Sequence, residues 1–128
     1  MNLDLIHALE RCETDIDGVR SRFGGNDALY ERCLGKFIFD PTMAELENAL
    51  NIEAWDEAFT AAHAMKGLAG NMGFVPLFLT TADLVVQIRA GRTNEINATF
   101  CEVTRCYKEI IMAIRTYGDT KTMTPKGE

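Results

Sequence analysis

Apolar residues recur every three or four positions along almost the whole chain, and this spacing constrains the fold more than any other feature. Such spacing places apolar side chains on one side of an α-helix, which must then be buried against other helices. Only three prolines interrupt the 128 residues, and the β-branched runs are short. The sequence therefore predicts an all-α protein.

Glycines, prolines and capping residues divide the chain into helical segments. We expect a short helix from residue 3 to about 12, a connector over 15–25 with room for one helical turn, and helices at about 26–40, 41–50, 53–72, 75–90 and 93–117. Asn26 and Asp40 are suitable N-caps, and Pro41 fits the first helical position. Gly73 and Gly91 are suitable helix ends because they tolerate positive φ.

The arrangement of these segments predicts the architecture. Four long helices joined by short turns indicate an antiparallel up-and-down four-helix bundle, with the short extra N-terminal helix packed across one end. The helix over 41–50 should bury Met43, Leu46 and Leu50. We expect one domain over residues 1–117. Residues 118–128 are polar and contain a proline, so we expect a flexible C-terminal tail there.

The net charge of −6 limits the classes of partner. The 13 basic residues are spread along the chain and form no stripe, so we expect neither nucleic-acid binding nor attraction to an anionic membrane. No run approaches the roughly 18 apolar residues that a membrane span needs. The first residues also lack the basic region of a signal peptide. We therefore expect a cytoplasmic protein.

The use of cysteine and histidine argues against a metal or cofactor site. The four cysteines form no Cys-x-x-Cys pair, and there are only two histidines. Structural zinc needs paired ligands at short spacing, and a di-iron bundle needs Glu-x-x-His pairs, which this chain lacks. We expect no metal, no cofactor and free thiols in a reducing compartment. The cysteines are Cys12, Cys33, Cys101 and Cys106.

The helix over 53–72 combines a buried seam with a second, unusual face. The seam comprises Ala58, Ala61, Met65, Leu68 and Met72, at alternating spacings of three and four residues. His63 lies off this seam, and its neighbours at helical spacing are Phe59, Thr60, Lys66, Gly67 and Gly70. Because that face is polar or nearly bare apart from Phe59, we expect the His63 imidazole to be exposed.

Two glycines on this face suggest a contact surface. Gly67 and Gly70 are unfavourable inside a helix, by roughly 1 kcal/mol each relative to alanine. Such glycines are kept where another surface must approach the backbone closely, so we expect a flat area beside His63 on which a partner can rest. Phe59 is either an exposed apolar anchor for that partner or a residue that leans into the core. We interpret the other histidine, His7, as ordinary helix surface.

The segment around His63 resembles the signature of histidine-containing phosphotransfer (Hpt) domains. That signature reads His-x-[Leu/Met]-Lys-Gly, followed by small residues up to a glycine, and this chain has His63, Met65, Lys66, Gly67 and Gly73 at those positions. Trp55 resembles the tryptophan that often opens the histidine helix of the family. The segment Phe23-Gly24-Gly25-Asn26 resembles the Arg-Phe-Gly-Gly-Asp segment of the family. The resemblance covers about residues 15–115.

The resemblance implies a four-helix bundle whose exposed histidine exchanges a phosphoryl group with the aspartate of a response-regulator receiver domain. It implies that His63 is phosphorylated, that Lys66 holds the phosphoryl oxygens and that Gly67 provides clearance for the receiver. With the neighbouring residues, the expected partner-binding set is Phe59, Gly67, Gly70 and Arg89.

One position departs from the family pattern. Many members carry glutamine or glutamate twenty-two residues after the histidine, where it orients the imidazole, and this chain has Val85 there. Thr81, Gln87, Arg89 and Arg92 are nearby alternatives, and by helical spacing Thr81, Arg89 and Arg92 could share one face with Val85. Arg89 is then either a cation that assists with phosphate charge or a solvated surface residue.

The implied function is that of a phosphorelay carrier in a two-component system. The chain has no Gly-x-Gly-x-x-Gly or P-loop segment, so we expect no ATP-dependent autokinase activity. The expected partners are receiver domains, a hybrid histidine kinase or both, and we expect a monomer. The alternative is a helical docking or scaffold module for the same domains that transfers no phosphate.

Overall fold

The computed structural model describes residues 1–118, and this part of the chain is helical nearly throughout. The predicted flexible tail lies almost entirely outside the described residues. The helices are α1 (Leu3–Arg11), α2 (Ile16–Arg22), α3 (Asp27–Ile38), α4 (Thr42–Asn51), α5 (Trp55–Met72), α6 (Val75–Ala90) and α7 (Thr93–Tyr117). The prediction of an all-α bundle is confirmed, while the antiparallel up-and-down order of its four main helices stays a prediction.

The prediction of a connector over 15–25 was wrong, because this stretch contains α2. The Asp15 side chain accepts a hydrogen bond from the Gly18 amide at 3.0 Å and so caps the new helix. Ile16 and Val19 are buried and attach α2 to the core. Ile16, Val19 and Phe23 have helical spacing, but the helix has only seven residues and contains Gly18, which is unfavourable inside a helix, so the sequence predicted no more than a helical turn.

The junction of α3 and α4 differs from its prediction by one residue. Asn26 caps α3 as expected, since its side chain accepts from the Leu29 amide at 3.0 Å. The Asp40 carboxylate accepts from the Thr42 amide at 2.8 Å, so Pro41 lies at the boundary and not inside the first turn. The buried stripe of α4 was also predicted wrongly at its end. Ala49 is buried at 4% exposure and Leu50 only half-buried.

α5 packs against both α4 and α6, α6 also packs against α7, and every helix contributes buried residues to one core. α7 also contacts α1 and α3, so the N-terminal helices cover one side of the bundle. Nearly all of the largest fully buried side chains are aliphatic, as the apolar stripes predict. They include Leu5, Leu9, Leu34, Leu46, Met65, Leu77, Leu84, Ile110 and Ile114.

The C-terminal end of α5 is bonded to the N-terminal part of the protein. The buried Tyr30 hydroxyl of α3 donates to the Met72 carbonyl oxygen at 2.8 Å. Arg22 of α2 donates from Nε to the Asn71 carbonyl oxygen at 3.3 Å. These bonds satisfy carbonyl groups that the end of a helix leaves without partners. Burial raises the pKa of Tyr30 well above its ordinary value, so the phenol stays a donor.

Gly73 ends α5 as predicted and is enclosed by the N-terminal region. Its φ is +78°, in the left-handed region, and its carbonyl oxygen accepts from the Asp15 amide at 2.8 Å. A Cβ at this position would lie 2.5 Å from Val19 Cγ2 and 3.2 Å from the Asp15 carbonyl oxygen. Conformation and packing therefore both require glycine at this position.

Candidate functional site

His63 lies near the middle of α5, on the face opposite the core. The buried residues of α5 are Ala58, Ala61, Ala62, Met65, Ala69 and Met72. The seam predicted from the sequence was right except at one place, where Ala69 is buried and Leu68 is only half-buried. The His63 side chain is exposed, as its position off the seam predicts.

An aromatic ring and a guanidinium group extend from the imidazole toward α6. The rings of Phe59 and His63 are stacked, with centroids 6.1 Å apart and an interplanar angle of 29°. The guanidinium carbon of Arg89 lies 4.7 Å from the centroid of the Phe59 ring. Phe59 is half-buried and packs against the core, so it both leans inward and supports the two polar groups.

These side chains line one open cavity between α5 and α6, which we call the His63 cavity. Its volume is about 420 Å³. Its lining residues are Phe59, Thr60, His63, Lys66, Val85, Val86 and Arg89. The structure thus brings four of the predicted site residues together: His63, Lys66, Phe59 and Arg89. Gly67 and Gly70 do not line this cavity.

Three of the lining residues, Thr60, Val85 and Val86, were not among the predicted site residues. Thr60 lies one helical turn before His63, and Val86 follows Val85 on α6. Helical spacing on α5 did place Thr60 among the neighbours of His63, although it was not assigned a role. Val86 had no comparable signal, because the rotation of α6 relative to α5 decides which of its residues reaches the cavity.

Lys66 and Arg89 are both held by aromatic rings. The Lys66 ammonium lies 5.7 Å from the centroid of Phe78 on α6, and Arg89 contacts Phe59. Within residues 1–118, neither cation forms a salt bridge. Two uncompensated positive charges beside an exposed imidazole attract an anion.

The two glycines beside His63 have different surroundings. A Cβ on Gly67 would meet no atom within 4 Å, and the residue is exposed. A Cβ on Gly70 would lie 3.1 and 3.3 Å from two ring carbons of Phe78. The space beside Gly70 is therefore used by packing within the protein, whereas the space beside Gly67 is open.

The shared face proposed for Thr81, Val85, Arg89 and Arg92 does not exist. Thr81 is fully buried, and its hydroxyl donates to the Leu77 carbonyl oxygen. Arg92 lies beyond the end of α6 and forms an ion pair with Glu95 at 3.8 Å. Only Val85 and Arg89 of this set reach the His63 cavity. Val85 offers no hydrogen-bond acceptor to the imidazole.

The remaining groups with potential chemistry lie elsewhere. His7 is exposed on α1. The four cysteines are free thiols, of which Cys106 is buried and Cys101 exposed. Within residues 1–118, no three His, Cys, Asp or Glu side chains are grouped so that they could hold a metal ion.

Comparison with known families agrees with this geometry. The sequence model of the Hpt domain matches residues 39–113, which is more than half of the chain. This chain belongs to the Hpt domain family. The matched range contains every residue that lines the His63 cavity. The segment Phe23–Asn26, which also resembles the family, lies outside it. No curated protein and no solved structure matches the chain.

Membership of the family settles the general function. Hpt domains are phosphocarrier modules of two-component phosphorelays, and they interact with receiver and kinase domains of those systems. The prediction of histidine phosphotransfer signalling is confirmed at this level. In the part of the chain that the structure describes, no helix combines the length and hydrophobicity needed to cross a membrane.

Proposed function

We propose that this Hpt protein accepts a phosphoryl group on His63 from the aspartate of one receiver domain and passes it to another receiver. The observation that carries the proposal is the exposed His63 imidazole, which lines one open cavity together with two cations, Lys66 and Arg89. The only other histidine, His7, has no predicted role beyond helix surface.

The chemistry is a reversible exchange between two phosphorylated groups. The lone pair of Nε2, the ring nitrogen further from the backbone, attacks phosphorus in line with the aspartyl oxygen. A P–N bond forms while the acyl phosphate P–O bond breaks, and the aspartate leaves as a carboxylate. Nδ1 keeps its proton and donates it in a hydrogen bond to a backbone carbonyl oxygen or to water, since Val85 cannot accept it. In the onward step an aspartate of the second receiver attacks phosphorus and the imidazole leaves.

Lys66 and Arg89 stabilise the charge on the phosphoryl oxygens. The transition state of phosphoryl transfer is loose, with charge spread over three equatorial oxygens. The cation–π contacts to Phe78 and Phe59 are worth only about 0.5–1 kcal/mol at exposed sites, so both side chains can turn toward the phosphoryl group. The receiver supplies the magnesium ion that this chemistry requires.

The chain carries phosphate but does not make phosphohistidine from ATP. The sequence has no Gly-x-Gly-x-x-Gly or P-loop segment that would bind a nucleotide. We therefore expect a hybrid histidine kinase or its receiver to supply the phosphoryl group. We propose that the protein acts as a monomer in the cytoplasm, where receiver domains act. Gly67 leaves room for the receiver backbone, and Phe59, Gly70 and Arg89 lie along the surface that it covers.

The test is transfer of labelled phosphate from a purified, phosphorylated receiver domain. We expect a label on the protein that is stable in base and lost in acid. His63→Gln should abolish the label and His7→Gln should retain it, which makes the two histidines matched variants. Label on His63→Gln, or none on the wild type with every receiver of the source organism, would contradict the proposal.

The alternative, a docking module without phosphotransfer, predicts a different result. His63→Gln would then support signalling in cells as well as the wild type does. It would also bind the receiver with unchanged affinity, and no label would reach the wild-type protein. The transfer assay and a cellular output measured on the same variants therefore separate the two functions.

A further inference from the structure

A second concave surface lies on the other side of α5 from the His63 cavity, between α4 and α5. We call it the α4–α5 groove. Its volume is about 660 Å³. Small side chains on its walls, Ala49, Ala61 and Ala64, leave this space open. Ile52, at the C-terminal end of α4, is 66% exposed and lies at one end of the groove.

The rim of the groove is acidic, in contrast to the His63 cavity. Glu45, Asp56 and Glu57 line it, and all three side chains are exposed. None of them forms a salt bridge with residues 1–118. No residue that lines the groove is basic. The side of α5 toward α4 is therefore acidic, whereas Lys66 and Arg89 give the His63 cavity positive charge. Asp56 lies between the two, because it also lines a small cavity with Phe59 and Arg89.

The two concave surfaces are adjacent. Thr60 lines both the α4–α5 groove and the His63 cavity. An α-helix with its side chains is only about 10 Å wide, so a protein seated on His63 reaches across α5. A stable interface covers about 800 Å² on each partner. A protein that docks on His63 with that area must therefore extend beyond the cavity.

We propose that the α4–α5 groove binds a segment of the same partner that exchanges phosphate with His63, and that this segment carries apolar side chains flanked by lysine or arginine. The apolar side chains fill the space beside Ala49 and Ala64, and the basic groups approach Glu45, Asp56 and Glu57. This inference rests on the proposed function.

The opposite charges of the His63 cavity and the α4–α5 groove set the orientation of the partner. An acidic phosphorylation site is attracted to Lys66 and Arg89, and a basic segment is attracted to the groove. A partner turned by half a rotation meets like charges at both surfaces. Complementary charge of this kind acts mainly on encounter and on the choice of partner.

The three carboxylates of the groove also stabilise their helices, and the experiment must separate this effect from partner binding. Each lies in the first turn of its helix, where negative charge is favourable. The groove variant is Glu45→Lys with Asp56→Lys and Glu57→Lys. Its control is Asp4→Lys with Asp17→Lys and Glu47→Lys, because these exposed residues lie outside the groove and include two first-turn positions. Both triple variants change the net charge equally.

The measurement is phosphotransfer kinetics with the receiver domain that labels the wild type fastest. We expect the groove variant to raise KM by about tenfold or more at low salt, with the maximal rate within about twofold of the wild type. Raising the salt concentration should reduce the difference. The control variant should keep a KM close to that of the wild type. The neutral variant Glu45→Gln with Asp56→Asn and Glu57→Gln should give an intermediate KM, and it provides the test if the reversed variant does not fold.

The apolar half of the proposal has its own variant. Ile52→Ala should raise KM by about threefold or more without changing the salt dependence. Phosphoramidate, a small donor that needs no protein docking, should label His63 of all these variants at the wild-type rate. That result would show that the chemistry at His63 is intact.

Three outcomes would overturn the inference. The groove variant could transfer phosphate with the KM of the wild type while the receiver and phosphoramidate both label His63, which would leave the proposed function standing. The groove variant could also show a lower maximal rate with an unchanged KM. Ultracentrifugation could show a dimer of this chain that the groove variant abolishes, which would assign the groove to self-association. Failure of the receiver to label wild-type His63 would instead count against the proposed function.

Discussion

The stretch of α5 around His63 and the last turn of the same helix are held in different ways. The side chains of His63 and Lys66 form no hydrogen bond or ion pair with residues 1–118, and Gly67 has no side chain. Residues 71–73, one to two turns further on, are bonded to three separate positions of the N-terminal region. Firm attachment at the end of the helix fixes the position of the backbone. The side chains in the middle can therefore face solvent and a partner.

The largest expected effect on the attachment of the end of α5 comes from a substitution at Gly73. We expect Gly73→Ala to lower the free energy of unfolding by about 2–4 kcal/mol. The alanine is strained at the left-handed φ, and its Cβ also clashes with Val19 and the Asp15 backbone. Gly91→Ala is the matched control, since Gly91 also ends a helix, with φ of +71°, and its Cβ would meet nothing within 4 Å. It should cost only about 1 kcal/mol. Denaturant unfolding measures both, and equal losses would show that the enclosure of Gly73 contributes nothing.

Substitutions around His63, in the middle of α5 and on the facing part of α6, should have the opposite effect. They should lower activity and leave stability nearly unchanged. Lys66→Ala and Arg89→Ala should each slow phosphotransfer about 10- to 100-fold, while unfolding free energies stay within about 1 kcal/mol of the wild type. Lys108→Ala and Arg92→Ala remove exposed cations outside the His63 cavity and are the controls. Single-turnover transfer rates decide the point. A wild-type rate for Arg89→Ala would make that residue a solvated surface group.

The attachment of the C-terminal end of α5 can be weakened to a smaller extent at Tyr30. Tyr30→Phe removes the buried hydrogen bond to the Met72 carbonyl oxygen and should lower stability by about 1–2 kcal/mol at neutral pH. Burial raises the pKa of Tyr30 above its ordinary value of 10.0. Above about pH 10 the unfolded chain loses the phenolic proton while the folded protein keeps it, so the wild type loses stability as pH rises.

The comparison of Tyr30→Phe with the wild type therefore depends on pH. The advantage of the wild type should be constant up to about pH 9 and shrink above about pH 10. Unfolding at a series of pH values measures it, with Tyr117→Phe as the control, because Tyr117 is 37% exposed. A difference that grew with pH would contradict the assigned direction of the pKa shift.

The end of α5 was easier to predict from the sequence than the contacts of its middle. The bounds of α6 and the end of α5 follow from Gly73 and Gly91, because both adopt the positive φ that stops a helix. Off-seam position alone placed His63 in solvent. The family match then added the expected chemistry, which periodicity could not supply.

Contacts between helices could not be predicted in the same way. Phe78 occupies the space beside Gly70 and contacts Lys66, and Val86 lines the His63 cavity. These contacts depend on how far α6 is rotated about its own axis relative to α5. The period of a single helix does not determine that rotation. The acidic rim of the α4–α5 groove could not be predicted either, because it combines Asp56 and Glu57 of α5 with Glu45 of α4. Which residue of α4 faces α5 depends on how the two helices pack.

The smallest expected effects separate the two glycines beside His63. Gly67→Ala should raise the free energy of unfolding by up to about 1 kcal/mol, because alanine favours the helix and its Cβ meets nothing within 4 Å. The same methyl group lies on the surface proposed to face the receiver, so transfer should become slower as stability increases. Gly70→Ala should gain less stability, because its Cβ must displace the Phe78 ring by a few tenths of an ångström. Unfolding and transfer rates measured on both variants test this contrast. If Gly67→Ala gained stability and kept the wild-type transfer rate, the open space beside Gly67 would not serve docking, and the contrast between the middle and the end of α5 would be one of packing alone.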